Sequence, residues 1–283
     1  MFVISRKHLW MPILAFVVST GSAHASGILI AARDLEDFAN AQTDQLAKTT
    51  TTGAVAGSTQ LINTTYLVNG IGDGGGFLYA GSAVRNDFLT IDYNGNLLTS
   101  STSPGYKTSC CNEDIAYDPG TNTVYRGSYS TSIVAVDGTT GALLATYAQS
   151  DVVGMAHVNG QIWITKWANR EVGSWDPSTN TYTKKFDTDG VGGIDGNAGG
   201  LAFDPLGNIL WIGFQGGRVA PWSLTGTLLD PGYTPFGVMS QTIDGLVFLG
   251  EAQPAAVPEP ASLILLSTGL VAAAARRRRK IRS

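Results

Sequence analysis

Histidine is scarce in this chain. Of three in 283 residues, His8 and His24 lie in the first 25, which leaves His157 alone for the rest. A single imidazole cannot build a His-cluster metal site, and any Ser-His-Asp triad would depend on that one residue. It sits in the strand-like stretch Gly154-Met155-Ala156-His157-Val158, where packing is the simpler role. Cysteine is scarcer, with two residues, Cys110 and Cys111, adjacent to one another. No C-x-x-C pair exists, so there is no zinc knuckle to propose. In an oxidising compartment the two thiols can close a vicinal disulfide that stiffens a loop or floors a pocket, pair with another molecule, or stay free. Basic charge is thin as well. Between Ser26 and Ala256, ten Lys and Arg face 21 Asp and Glu, so this body carries −11 against −4 for the whole chain. An acidic surface repels phosphate backbones, which excludes a nucleic-acid partner, and it suits solubility outside the cell.

Long apolar runs occur only at the two ends. At the N-terminus Arg6-Lys7 precede an apolar stretch from Leu9 to Val18 and the A-x-A site Ala23-His24-Ala25. That is the pattern of a signal peptide over 1–25, read by the export translocon and signal peptidase, with the mature chain starting at Ser26. At the C-terminus Val257-Pro258-Glu259-Pro260 leads into an uncharged run, Ala261 to Ala275, closed by Arg276, Arg277, Arg278, Arg279 and Lys280. A helix over that run would rise about 22 Å, short for a bilayer core of about 30 Å. Snorkelling arginines and local thinning make insertion feasible, and so short a span suits a temporary hold. The arginines stay cytoplasmic, which puts the body on the far side of the membrane. A plain single-pass anchor would export the body equally.

The ordered tail, Pro-Glu-Pro, then apolar run, then arginine cluster, resembles the PEP-CTERM sorting signal of exported Gram-negative bacterial proteins. The likeness covers 257–283 only. It implies that an exosortase-type transpeptidase recognises Pro258, Glu259, Pro260 and Arg276 to Arg279, and cuts near the triplet. The body would cross the inner membrane, be held there transiently, and reach the cell surface or an exopolysaccharide matrix. The expected division is 1–25 signal, 26–256 body and 257–283 sorting segment.

The body repeats itself. One copy reads Asp114–Pro119, Thr123–Gly127, Ser132–Asp137 and Gly141–Thr146; the next reads Gly154–Val158, Gln161–Thr165, Glu171–Pro177 and Thr181–Lys184. A further copy runs Gly200–Pro205, Ile209–Phe214, Gly217–Trp222 and Gly226–Leu229, and an earlier, weaker one runs Phe77–Gly81, Phe88–Asp92 and Asn96–Thr99. The landmarks Asp92, Asp137, Asp176 and Ser223 stand 45, 39 and 47 residues apart, a period suited to four short strands. Four strands cannot bury both faces alone, so neighbours stack, and closing the stack into a ring protects its ends. After the fourth copy, Phe236–Met239 and Asp244–Leu249 supply only two strands of another unit, and Ile28–Ala32 can complete it. The expected fold is therefore an all-β propeller of about five four-stranded blades, with six smaller blades, a sandwich or a solenoid as alternatives. Trp163, Trp175, Trp211 and Trp222 are expected to pack between blades. Between Asp34 and Thr52, Leu35, Phe38 and Leu46 give a weak helical stripe followed by a threonine-rich loop. The Asp-Pro and Gly turns with aromatic strands resemble propellers of the quinoprotein-like and NHL-like kind.

Two places can carry chemistry. The loop holding Asp187, Asp189, Asp195 and Asn197 alternates oxygen ligands with glycines, as calcium would require, although it lacks the EF-hand spacing and closing glutamate. Asp73-Gly74-Gly75-Gly76 lacks the helix and lysine of a phosphate loop and reads as a turn. The other place is the surface pair Glu113-Asp114, just after the cysteines. In a propeller, residues leading into the innermost strands ring the channel mouth, and lactonase-like propellers hold a divalent cation there, which nominates Glu113, Asp151 and Asp195. The leading reading is an exported, non-catalytic binding or structural propeller of the surface or matrix. The alternative is a metal-dependent extracellular hydrolase or lyase.

Overall fold

The computed structural model describes residues 27–33, 44–57, 60–62, 68–82, 87–102, 112–193, 196–237 and 242–250. Five antiparallel sheets account for every strand among them. The first blade contains β4 (Val68–Asp73), β5 (Leu78–Ser82), β6 (Asp87–Ile91) and β7 (Leu97–Thr102). The second contains β8 (Asn112–Asp118), β9 (Thr123–Ser128), β10 (Ile133–Asp137) and β11 (Leu143–Tyr147). The third contains β12 (Val152–Val158), β13 (Gln161–Lys166), β14 (Glu171–Asp176) and β15 (Thr181–Asp187). The fourth has β16 (Ala198–Asp204), β17 (Ile209–Phe214) and β18 (Val219–Ser223). The fifth joins the two ends of the body: β19 (Gly245–Gly250) pairs with β1 (Gly27–Arg33), which pairs with β2 (Gln45–Thr50), and then β3 (Gln60–Leu61).

β4, β8, β12, β16 and β19 lie innermost and touch one another in that cyclic order, so the ring closes between β19 and β4. The body is a five-bladed propeller, as its repeat predicts, with the ring fastened by the shared blade. Each blade buries one face against the next. Five apolar clusters fill the five junctions, from Tyr79, Ile115 and Val134 between the first two blades to Ile30, Val247, Ile71 and Leu78 between the fifth and the first. Small residues on the innermost strands make room for aromatics on the second strands: Gly72 pairs with Tyr79, Ala116 with Tyr125, Ala156 with Trp163 and Ala202 with Trp211. Trp163, Trp175, Trp211 and Trp222 are all buried in these junctions.

The turns repeat too. Asp118-Pro119-Gly120-Thr121-Asn122, Asp176-Pro177-Ser178-Thr179-Asn180 and Asp204-Pro205-Leu206-Gly207-Asn208 share one device. The aspartate accepts the amide two residues on, at 2.9, 2.8 and 2.9 Å, and the asparagine takes φ of +53°. Proline presets its own φ and asparagine tolerates the left-handed region, so each five-residue stretch turns the chain locally.

Three expectations need correction. Gln45–Thr50 is strand β2, not the end of a helical stripe; Leu46 and Ala47 are buried against β1, and sheet pairing overrides a weak helical spacing. Leu35 and Phe38 lie outside the described residues. The fourth blade has no fourth strand at Gly226–Leu229: only the isolated bridges Trp222 to Leu228 and Val219 to Tyr233 border β18. Phe236 and Gly237 form a turn, and the innermost strand of the first blade, β4, has too many glycines and polar residues to stand out in sequence. Among the described residues no helix is long and apolar enough to cross a membrane, and the expected signal and tail helices lie outside them.

Candidate functional site

All five innermost strands run the same way through the ring, so the propeller has a head face where they begin and a tail face where they end. Near its head end, each of four carries an irregular step in register: β4 between Val68 and Gly70, β8 between Asn112 and Ile115, β12 between Val152 and Gly154, β16 between Ala198 and Leu201. A bulge leaves ladder groups unpaired and turns them aside. Just past three of these steps, amides on the open inner edges of β4, β12 and β16 turn to one carboxylate. Asp114 accepts Leu201 N–H at 2.8 Å and Met155 N–H at 3.3 Å on Oδ2, and Ile71 N–H at 3.4 Å on Oδ1, with the Ile115 amide contributing from its own strand. Innermost strands of three other blades, β4, β12 and β16, are thereby tied to β8 at the axis. Burial pushes the Asp114 carboxyl well above the usual carboxylate range, and these amides pull the other way.

The position that Asp114 occupies before Ile115 holds Gly70 before Ile71, Gly154 before Met155, Gly200 before Leu201 and Gly245 before Leu246. These glycines permit the strands to crowd the axis. A Cβ on Gly245 would lie 2.7 Å from Ile71 N, and one on Gly200 would lie 2.9 Å from Leu246 N. One aspartate among four glycines thus fills the space that the glycines leave.

On the tail side of this clasp the strands splay into an axial cavity of about 550 Å³. Ile115, Met155, Leu201 and Leu246 line it deep down, Tyr117, His157, Phe203 and Phe248 nearer the mouth, and Gly250 at the rim. A second cavity of about 570 Å³ opens between the second and third blades, with Tyr125, Trp175, Gln161, Thr181 and Lys185 on its walls. Asp118 and His157 stand at the boundary, with His157 Nε2 3.8 Å from Asp118 Oδ1, and His157 borders both spaces. Such a surface offers apolar and aromatic contact in the centre and hydrogen-bonding groups at the side, the usual make-up of a binding cleft.

The residues expected to carry a metal are placed differently from one another. Asp189 pairs with the Arg170 guanidinium, and Arg170 Nε donates to Asn197 Oδ1 at 2.9 Å. Asp187 pairs with Lys184 at 2.7 Å, and Asp195 lies outside the described residues. An arginine fork therefore stands between two of the four proposed ligands. Of the proposed channel ring, Asp151 accepts the Ala168 N–H at 3.0 Å on the head face, while the side chain of Glu113 and all of Asp195 lie outside the described residues. Burial raises the Asp151 carboxyl, opposed by the Ala168 amide and by Lys166. Among the described residues no three His, Cys, Asp or Glu are grouped to hold a metal. Cys110 and Cys111, and the tail residues Pro258, Glu259, Pro260 and Arg276 to Arg279, also lie outside them. Sequence reasoning singled out Glu113 and Asp114 as a pair but missed what Asp114 does. The signal was the column of glycines that it interrupts.

Residues 256–279 match the PEP-CTERM protein-sorting motif, so the chain carries that sorting signal at its C-terminus. No curated protein matches the chain in sequence. Among solved structures it is similar to a chain of a nidogen/laminin complex, at 12% identity and a TM-score of 0.50 over 79% of this chain and 98% of that one. It is also similar to Myxococcus xanthus glutaminyl cyclase, at 14% identity and a TM-score of 0.48 over 60% of this chain and 77% of that one. A protein of unknown function from Bacteroides caccae gives 12% identity and a TM-score of 0.45 over 73% and 72%. At such identities the likeness concerns the fold alone.

Proposed function

We propose that the chain is a non-catalytic binding propeller of the cell surface or exopolysaccharide matrix, exported, held briefly by its tail and then sorted by an exosortase-type transpeptidase. The sorting motif over 256–279 carries this reading. The motif implies export and processing in a Gram-negative envelope; the rigid ring supplies a scaffold and the tail-face cavities supply the contacts. Tyr117 and Phe203 are partly exposed where they line the cavity, which favours a ligand with apolar or CH-rich surface, and Asp118, His157 and Gln161 can hydrogen-bond its polar groups.

Fractionation of cells making the tagged full chain tests it. The wild-type body is expected beyond the inner membrane, trimmed of its tail. Replacing Pro258, Glu259 and Pro260 by Ala should leave an untrimmed, membrane-bound precursor. Phe203→Ala, which removes an aromatic wall of the cavity, should be exported and trimmed normally but shed into the medium. Wild-type chain recovered intact in the cytosol would overturn the export reading, and normal matrix retention of Phe203→Ala would overturn the role of the cavity.

A further inference from the structure

The tail leaves from the middle of a disc. β19 is the innermost strand of its blade, and its last residue, Gly250, pairs with Gly27 and sits at the rim of the axial cavity. Both ends of the described body therefore meet on the tail face. Ten residues, Glu251 to Pro260, separate Gly250 from the apolar run that starts at Ala261. Whatever conformation they take, ten residues span roughly 35 Å at most.

The disc is too large for so short a link to reach around. Innermost strands of six or seven residues make it about 20 Å thick. Four strands spaced about 4.8 Å apart, outside a packed axis, give a radius of about 20 Å. For the head face to meet a bilayer, the link would have to run from axis to rim and then down the side, roughly 40 Å. A headgroup layer of about 5–7 Å would still remain to be crossed. The head face cannot be turned to the membrane while the apolar run is inserted.

We infer that the sorting tail is also an orienting tether: as long as it is inserted, the head face cannot turn to the bilayer, the tail face and its axial cavity are held within about 35 Å of it, and cutting the tail frees them. The inference rests on the tail being membrane-held, as proposed above. The held protein keeps its head face open to large partners, while the nearby bilayer crowds the approach of a bulky matrix component to the cavity until the tail is cut.

Cysteine labelling of the full chain in phosphatidylethanolamine and phosphatidylglycerol vesicles tests this, with Cys110 and Cys111 replaced by Ala. Leu206→Cys places a thiol on the tail face, where Leu206 is 64% exposed, and Asn169→Cys places one on the exposed head-face turn between β13 and β14. A small maleimide should label both at similar rates. A bulky polyethylene-glycol maleimide should label Asn169→Cys several-fold faster than Leu206→Cys. Inserting about thirty Gly/Ser residues after Gly250 adds roughly 30 Å of root-mean-square reach and should bring the two rates together. Equal rates with the bulky reagent, in chain that resists alkaline carbonate, overturn the tether. Chain that washes off in carbonate overturns instead the membrane-held reading beneath it.

Discussion

Asp114 on the axis and the aspartates of the outer turns all accept backbone N–H groups, but from very different distances along the chain. Asp176 takes the Ser178 amide and hydroxyl at 2.8 and 2.7 Å, two residues away, and Asp137 takes the Thr140 amide at 2.7 Å, three away. Asp114 takes amides 41, 43 and 87 residues away, from three other blades. Their electrostatics diverge as well. The Ser178 hydroxyl and amide hold Asp176 below the usual carboxylate range, the Thr140 amide and hydroxyl do the same for Asp137, and burial drives Asp114 up. A turn aspartate organises a few residues in water; the axial one joins blades where no water competes.

Removing the axial carboxylate should therefore have the largest effect. Asp114→Ala leaves the Leu201, Met155 and Ile71 amides without their acceptor in the packed axis, at about 1–3 kcal/mol for each one left unpaired. A loss of about 3 kcal/mol or more in denaturant unfolding is expected. Asp114→Asn sharpens the test. One amide oxygen can serve Leu201 and Met155, or Ile71, while its NH₂ group faces the donors that remain, so the loss should be intermediate. Unfolding midpoints unchanged in both variants would show that the blades do not depend on this clasp.

The same contrast explains what could be read without coordinates. Asp-Pro turns, alternating strands and the blade shared between Ile28–Ala32 and Asp244–Leu249 are local patterns, visible in short windows of the chain. β2 was misread because Lys48 and a run of threonines dilute its alternation, and only its pairing with β1 fixes Leu46 and Ala47 inward. The weak edge of the fourth blade was invisible because Gly226–Leu229 has the composition of a strand but only bridges its neighbour. Asp114 looked like half of a surface pair with Glu113. Its partners lie in other blades, and only superposing the innermost strands reveals one aspartate among Gly70, Gly154, Gly200 and Gly245. The cavity below it is likewise made by five strands, none of which contains a motif.

A pH series separates the two kinds of aspartate by sign. Asp114 has a folded value above its ordinary 3.8, so its contribution is fully present below that value and is lost as pH rises through the folded one. Asp137 and Asp176 have folded values below 3.8, so theirs is present above it and is lost as pH falls through the folded ones. The advantage of wild type over Asp114→Asn in urea unfolding should then be greatest near pH 4 and shrink toward neutrality. An advantage that grows from pH 4 to neutrality would mean that the axial amides outweigh burial and keep Asp114 ionised.

Asp176→Ala should give the smallest change of the set. Its carboxylate lies in water, the Pro177 ring still fixes one backbone angle, and Asn180 still supplies the left-handed residue that ends the turn. Ser178 and Thr179 lose an acceptor that solvent can replace. The thermal midpoint should fall by no more than a few degrees, less than for either Asp114 variant, and the effect should vanish in acid, where the wild-type carboxylate is itself protonated. A fall as large as that of Asp114→Ala would mean that this turn helps to hold its blade in the ring, as Trp175 beside it does through its contacts with Tyr125 and Tyr147 of the preceding blade. The local and the axial aspartates would then differ in reach along the chain but not in consequence.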